Sequence, residues 1–184
     1  IEALTGATIT SDAVVAAVNR AFDVFEREVV MGGDTSAMDR ENNLQVFPDA
    51  ASFGDTYEVE FEGFTSNITP ALNEDGETIG YTVTGDAEGH AGVMTLLVGL
   101  DIDGQVTGVT TLILHETASI AVLAEDPEFL ATFVGLTSDI EMVMEDPGEN
   151  EVEAISGATG TSEAFVDAVN RAIRTFENEG LGQG

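Results

Sequence analysis

Two copies of the triplet Gly-Ala-Thr carry the clearest chemical signal in the chain. Gly6-Ala7-Thr8 lies within Thr5–Ser11, and Gly157-Ala158-Thr159 lies within Ser156–Ser162. In each, a Thr hydroxyl stands just ahead of a helical pattern. The first N–H groups of a helix and its dipole favour a phosphate at that place. Gly157 and Ala158 leave the backbone open to close approach. The plainer alternative is a Thr that only caps its helix. Other chemistry is poorly supported. His90 and His115 are not at helical ligand spacing, which argues against zinc. Asp101-Ile102-Asp103-Gly104 begins like a calcium loop but lacks the later ligands and the Glu at position twelve, so it reads as a hairpin turn. No Ser-His-Asp arrangement is suggested. With no Cys there is no disulfide, thiolate metal site, iron–sulfur cluster or Cys nucleophile. No catalytic residue and no metal ligand is assigned.

The elements that must position these triplets form an internal repeat. Glu2–Glu26 and Glu153–Glu177 align without gaps, with about 16 of 25 positions identical. Both read as a turn followed by an amphipathic helix. Val14, Val15, Val18, Ala21, Phe22 and Phe25 recur at helical spacing, as do their counterparts from Phe165 to Phe176. Thr10 or Ser11, and Thr161 or Ser162, are expected as N-caps, with Asp12 and Glu163 in the first turn. The simplest account is a tandem protein, in which residues 1–30 are the tail of a preceding unit.

Residues 31–56 are rich in Gly, Asp, Asn and Ser and read as a linker. Tyr57, Val59 and Phe61 alternate with Glu58, Glu60 and Glu62, the pattern of a half-buried strand. Asp75-Gly76 and Asp103-Gly104 suit hairpin turns. The runs GYTVTG, VMTLLVGLDI and VTGVTTLIL supply strands, Pro127–Val134 a short helix, and Ile140–Met144 another strand. The expected fold over residues 57–178 is α+β: a mainly antiparallel sheet with packed helices, the last following the second triplet. Residues 179–184 form a tail.

Composition bounds the function. The 184 residues hold 35 acidic side chains against five basic ones, all Arg, for a formal charge of −30. That field argues against nucleic-acid partners and against docking on an anionic membrane surface. It fits adaptation to a salty environment, where self-repulsion is screened. At 43% hydrophobic residues the chain can build a core. No apolar run approaches a membrane span.

TGATITS and SGATGTS resemble the (S/T)GAT flavinylation motif of FMN-binding domains. These occur in subunits of the Na⁺-translocating NADH:quinone reductase, in Rnf-type complexes and in extracellular electron-transfer lipoproteins. GYTVTG, LLVGLDIDGQVTGV and His115-Glu116-Thr117 extend the resemblance over about residues 57–178. It implies covalent FMN, its phosphate esterified to the Thr that closes the triplet. Here that Thr is Thr159 in the unit seen whole and Thr8 in the leading fragment. It places Ser156, Gly157, Ala158 and Thr161 around the attachment point and His115 and Thr117 against the flavin. The family's usual Pro-Gly turn after this segment is replaced by Ala118-Ser119-Ile120-Ala121.

The resemblance further implies a flavin transferase that installs FMN from FAD, and redox donor and acceptor proteins. It also implies an extracytoplasmic, cell-surface or membrane-anchored location through segments outside this chain. The expected function is an electron-transfer flavoprotein module, more a carrier than a catalyst with its own substrate. The alternatives are a flavinylated domain feeding a separate or fused reductase, and a non-redox cell-surface structural module.

Overall fold

The computed structural model describes residues 36–89, 92–114 and 125–182. Helix α1 (Ser36–Val46) leads into β1 (Ser52–Phe53), β2 (Tyr57–Phe61), β3 (Phe64–Leu72), β4 (Thr78–Gly89), β5 (Gly92–Asp101) and β6 (Val106–Ile113). Helix α2 (Pro127–Ala131), β7 (Glu141–Val143), β8 (Glu151–Glu153) and the long helix α3 (Thr159–Asn178) follow. The six strands β1–β6 form one antiparallel sheet in the order β1-β3-β4-β5-β6, with β2 also beside β3. A small parallel pair, β7 and β8, lies apart from it. The fold is α+β and mainly antiparallel, closing on a helix that follows the second triplet.

The turns follow from local chemistry. Asp101 Oδ1 accepts from the backbone N–H of Asp103 and of Gln105, each at 2.9 Å, and Gly104 takes a φ of +80°. This is a tight hairpin between β5 and β6, in which the Asp closes the turn on itself. Gly76, at φ +79°, does the same between β3 and β4. The alternating run of β2 pairs with β3 from Tyr57–Ile68 to Phe61–Phe64, with Val59 and Phe61 turned partly inward.

Helix α3 packs across β4 and β5. Its buried stripe includes Ala164, Phe165, Ala168, Val169, Ala172, Ile173 and Phe176. It lies so close to β4 that a Cβ at Gly85 would sit 2.0 Å from the carbonyl oxygen of Ala168. Glycine is the only residue that allows this approach. Phe165 meets Phe129 of α2 edge-on at 5.5 Å, and Phe129 meets Phe133 in the same way. The core is therefore the layer between α3, α2 and one face of the sheet, including Val83, Leu96, Val98 and Leu100.

The other face carries α1, so residues 36–46, within the stretch read as a linker, are a helix on the sheet. The helix packs on β5 and β6. Val46 is fully buried, and its carbonyl accepts from Thr107 Oγ1 at 2.6 Å. Thr82 Oγ1 donates to Asn43 Oδ1 at 2.6 Å. Gly99 and Gly108 clear the space, since a Cβ at either would meet Val46 backbone at 2.3 or 2.8 Å. Polar composition hid this helix. Its stability comes from sheet contacts distant in sequence rather than from an apolar stripe of its own.

Candidate functional site

The second triplet forms the entrance to α3. Thr159 is the first helical residue and is half-buried. Ala158 occupies the N-cap place at φ −133°, ψ 36°, and makes no side-chain cap bond. Gly157 turns the chain at φ +80°, a conformation only glycine adopts freely. The expectation of Thr161 or Ser162 as N-cap is thus corrected: both lie within the first turn and are buried. With the helix starting at Thr159, Glu163 falls beyond the first turn, which holds no acidic residue.

Ser162 instead locks the turn from inside. Its hydroxyl accepts from the backbone N–H of Ile155 at 2.9 Å and donates to the carbonyl of Ala158 at 3.1 Å. The Ala158 N–H returns to the carbonyl of Ile155 at 2.9 Å, and the Ser162 N–H to that of Ala158 at 2.9 Å. The turn's inner side is fully engaged while its outer side is open. Nothing lies within 4 Å of a Cβ built on Gly157 or on Gly160. The opening N–H groups of a helix have no carbonyl partner within it. Among the described residues, this combination suits a phosphate: a hydroxyl, a dipole, free space and no competing carboxylate cap. The residues present therefore fit a phosphate-bearing cofactor at Thr159.

The fold sets where this turn lies. Helix α3 runs opposite to β4, with Ala168 against Gly85 and Phe176 edge-on to Tyr81 at 5.9 Å. From Ala168 back to Thr159 is about 14 Å of helical rise. From Gly85 on to Gly89 is about 13 Å of strand. The triplet thus lies toward the end of the sheet where β4 turns into β5 and where β6 ends. Ser156, Gly157, Ala158, Thr159 and Thr161 are brought together on this one turn. Thr8, His115 and Thr117 lie outside the described residues, His115 following directly on Leu114.

A groove of about 490 Å³ runs along the flank of α3, lined in part by Glu141, Glu163, Asp167 and Asn170. Its three carboxylates disfavour a phosphate, so it is distinct in character from the turn.

Two residues of α3 were not singled out from sequence. Asn170 holds both polar backbone groups of Ile140, accepting from its N–H at 2.9 Å and donating to its carbonyl at 2.8 Å. Arg171 donates through Nη1 to the carbonyl of Asp86 and stacks over the Phe64 ring at 3.7 Å. Their signal was present in the repeat, where Asn19-Arg20 matches Asn170-Arg171.

The FMN-binding domain family matches residues 1–23 and 89–174, which contain both triplets. One relative is a component of the Na⁺-translocating ferredoxin:NAD⁺ oxidoreductase complex of Acetobacterium woodii, 31% identical over 168 residues and covering 81% of each chain. Another is a component of the ion-translocating oxidoreductase complex of Methanosarcina acetivorans. It is 30% identical over 138 residues, covering 73% of this chain and 72% of its own. The fold is similar to that of NqrC from Shewanella oneidensis, at a TM-score of 0.55 and 18% identity over 74% of this chain and 73% of that one. It is also similar to a component of the Na⁺-translocating NADH-quinone reductase of Parabacteroides distasonis, at 0.58 and 15% over 80% and 96%. On the family match and these relatives, the chain belongs to the FMN-binding domain family.

Proposed function

We propose that this chain is an electron-transfer module that holds FMN as a phosphoester of Thr159. The observation that carries the reading is the open, uncapped turn Gly157-Ala158-Thr159 at the start of a 20-residue helix. Attachment from FAD would join Thr159 Oγ1 to the phosphorus of the FMN half, break the pyrophosphate P–O bond, release AMP and pass the hydroxyl proton to solvent. A separate flavin transferase performs this step. The bound flavin then supplies the redox chemistry, accepting and releasing electrons and protons.

The chain's own residues hold and place the group. Gly157 and Gly160 leave open space at the start of α3, where a phosphate would be held beside the helix N-terminus. Ser162 keeps the turn in shape from within. Fixed backbone dipoles here replace the Lys or Arg that a −30 chain does not spare. His115 and Thr117, which follow β6 in the sequence, are the residues the family resemblance assigns to the ring. Components of ion-translocating redox complexes are among the relatives, which supports donor and acceptor proteins as partners and a membrane-associated setting. The paired triplets support a tandem arrangement, and the family resemblance supports an extracytoplasmic one. Among the described residues no helix is long and apolar enough to cross a membrane.

Intact-mass measurement after co-expression with a flavin transferase tests the reading. The chain should gain one FMN less one water, and Thr159→Ala should lose that gain while Thr8→Ala keeps it. No gain with a transferase that loads a control substrate would overturn it.

A further inference from the structure

The groove on the flank of α3 lies between that helix and a bare strand edge. Strand β7 pairs in parallel with β8. The Glu141 N–H goes to the Asn150 carbonyl, and the Val143 carbonyl accepts from the Ala154 N–H. Successive residues of an extended strand turn their backbone groups to opposite sides. Glu141 and Val143 therefore face β8, while Ile140 and Met142 face away from it, toward α3. Ile140 is paired there. The Asn170 carboxamide accepts from its N–H at 2.9 Å and donates to its carbonyl at 2.8 Å, as a neighbouring strand would. Met142, two residues on, has no such partner among the described residues. It lines the groove of about 490 Å³ together with Val166. An edge with unpaired N–H and C=O groups is a template for another extended chain.

The charge of the walls selects the occupant. Glu163 and Asp167 stand exposed on the helix side, and Glu141 on the strand side. Among the described residues no Arg pairs with any of the three. They do not converge on an ion either, since no three such side chains among the described residues are grouped to hold a metal. Ile140, Met142 and Val166 give the groove an apolar lining between the charges. A second copy of this chain is a poor occupant, because each copy carries −30.

We propose that this groove receives an extended segment of a partner protein, in which Lys or Arg alternates with apolar residues, and that the segment adds to β7 at Met142. Thr159, Glu163, Val166 and Asn170 follow one another along one face of α3. Glu163 is about 6 Å of helical rise from Thr159. The segment thus lies along the helix face that leads to the triplet. Binding needs no flavin; only the exchange of electrons with the bound partner rests on the Thr159 reading.

The probe is a fluorescein-labelled peptide, Arg-Val-Arg-Val-Arg-Val-Arg, titrated into the full-length chain. The salt is held at about 0.15 M, where screening over about 8 Å leaves the nearest carboxylates in control. The pair Glu163→Gln and Asp167→Asn should weaken binding about tenfold, since both charges line the groove. The pair Glu74→Gln and Asp75→Asn removes the same charge from the exposed β3–β4 turn and should change binding by less than about twofold. Amide hydrogen exchange at Met142, read by NMR, should slow several-fold at saturation. That of Glu141, already bonded to Asn150, should not change. The proposal is overturned if the peptide does not bind, if the two pairs weaken it equally, or if Met142 exchange is unaltered at saturation. A dimer in sedimentation whose Met142 amide already exchanges slowly without peptide would give the groove to a second copy and overturn it too. None of these readouts uses the flavin, so failure of this proposal and failure of the Thr159 ester are distinguishable.

Discussion

Ser162 shows how much of the site rests on one buried hydroxyl. It satisfies the Ile155 N–H and reaches the Ala158 carbonyl, so that the Gly157 turn keeps its outer face clear. Removing a partner leaves a part-buried donor unsatisfied, at a cost of about 1–3 kcal/mol. Ser162→Ala should lose stability of that order in urea denaturation and should also load flavin more slowly at Thr159. An unchanged urea midpoint would mean that the turn is held by other bonds. Thr159→Ala, in contrast, removes only a half-buried hydroxyl at the helix entrance. It should separate loss of flavin from loss of fold.

At the scale of elements, glycines decide how close the layers come. Gly85 admits α3, while Gly99 and Gly108 admit the end of α1 on the opposite face. The sheet is thus gripped from both sides at points where no side chain fits. Gly160 is a counter-example, in the first turn of α3 with nothing within 4 Å of a built Cβ. The two sites should respond oppositely to the same change. Gly85→Ala should destabilise by about 1–3 kcal/mol or more, because the new methyl meets the Ala168 carbonyl. Gly160→Ala should be neutral or stabilise by up to about 1 kcal/mol through lower unfolded-state entropy. Urea denaturation of the two variants checks this, and equal effects would refute the close-approach account.

The whole molecule carries 35 acidic side chains on 184 residues with only five Arg to offset them, for a formal charge of −30. At 0.1 M salt the Debye length is about 10 Å, so neighbouring carboxylates repel across the surface. At 1 M it is about 3 Å and the repulsion is largely screened. Unfolding spreads these charges apart, so low salt favours the unfolded chain. The melting temperature should rise steadily as sodium chloride is raised from 0.1 to 1 M. A flat or falling curve would mean that the acidic surface does not govern stability. Two of the five Arg, Arg171 and Arg174, lie on α3 with Nε buried, and Arg171 is used on a carbonyl and an aromatic ring rather than on the acidic surface.

The sequence by itself determined the motif and the elements with strong local signals. The Gly-Ala-Thr triplets, the 3.6-residue periodicity of α3, the alternation in β2 and the Asp-Gly turns are properties of neighbouring residues, and a local pattern is enough to read them. The α+β class followed from their order. Only the tertiary structure decided the rest, because the reasons lie far away along the chain. Residues 36–46 look like a polar linker until Thr82, Gly99, Thr107 and Gly108 are placed against them. Ser162 looks like a cap until Ile155 folds back onto its hydroxyl. Asn170 and Arg171 look like a solvated helix face until Ile140, Asp86 and Phe64 arrive from other elements. Backbone groups left unpaired where a strand ends or a sheet divides must find partners. Which side chain supplies them depends on geometry that no local pattern encodes.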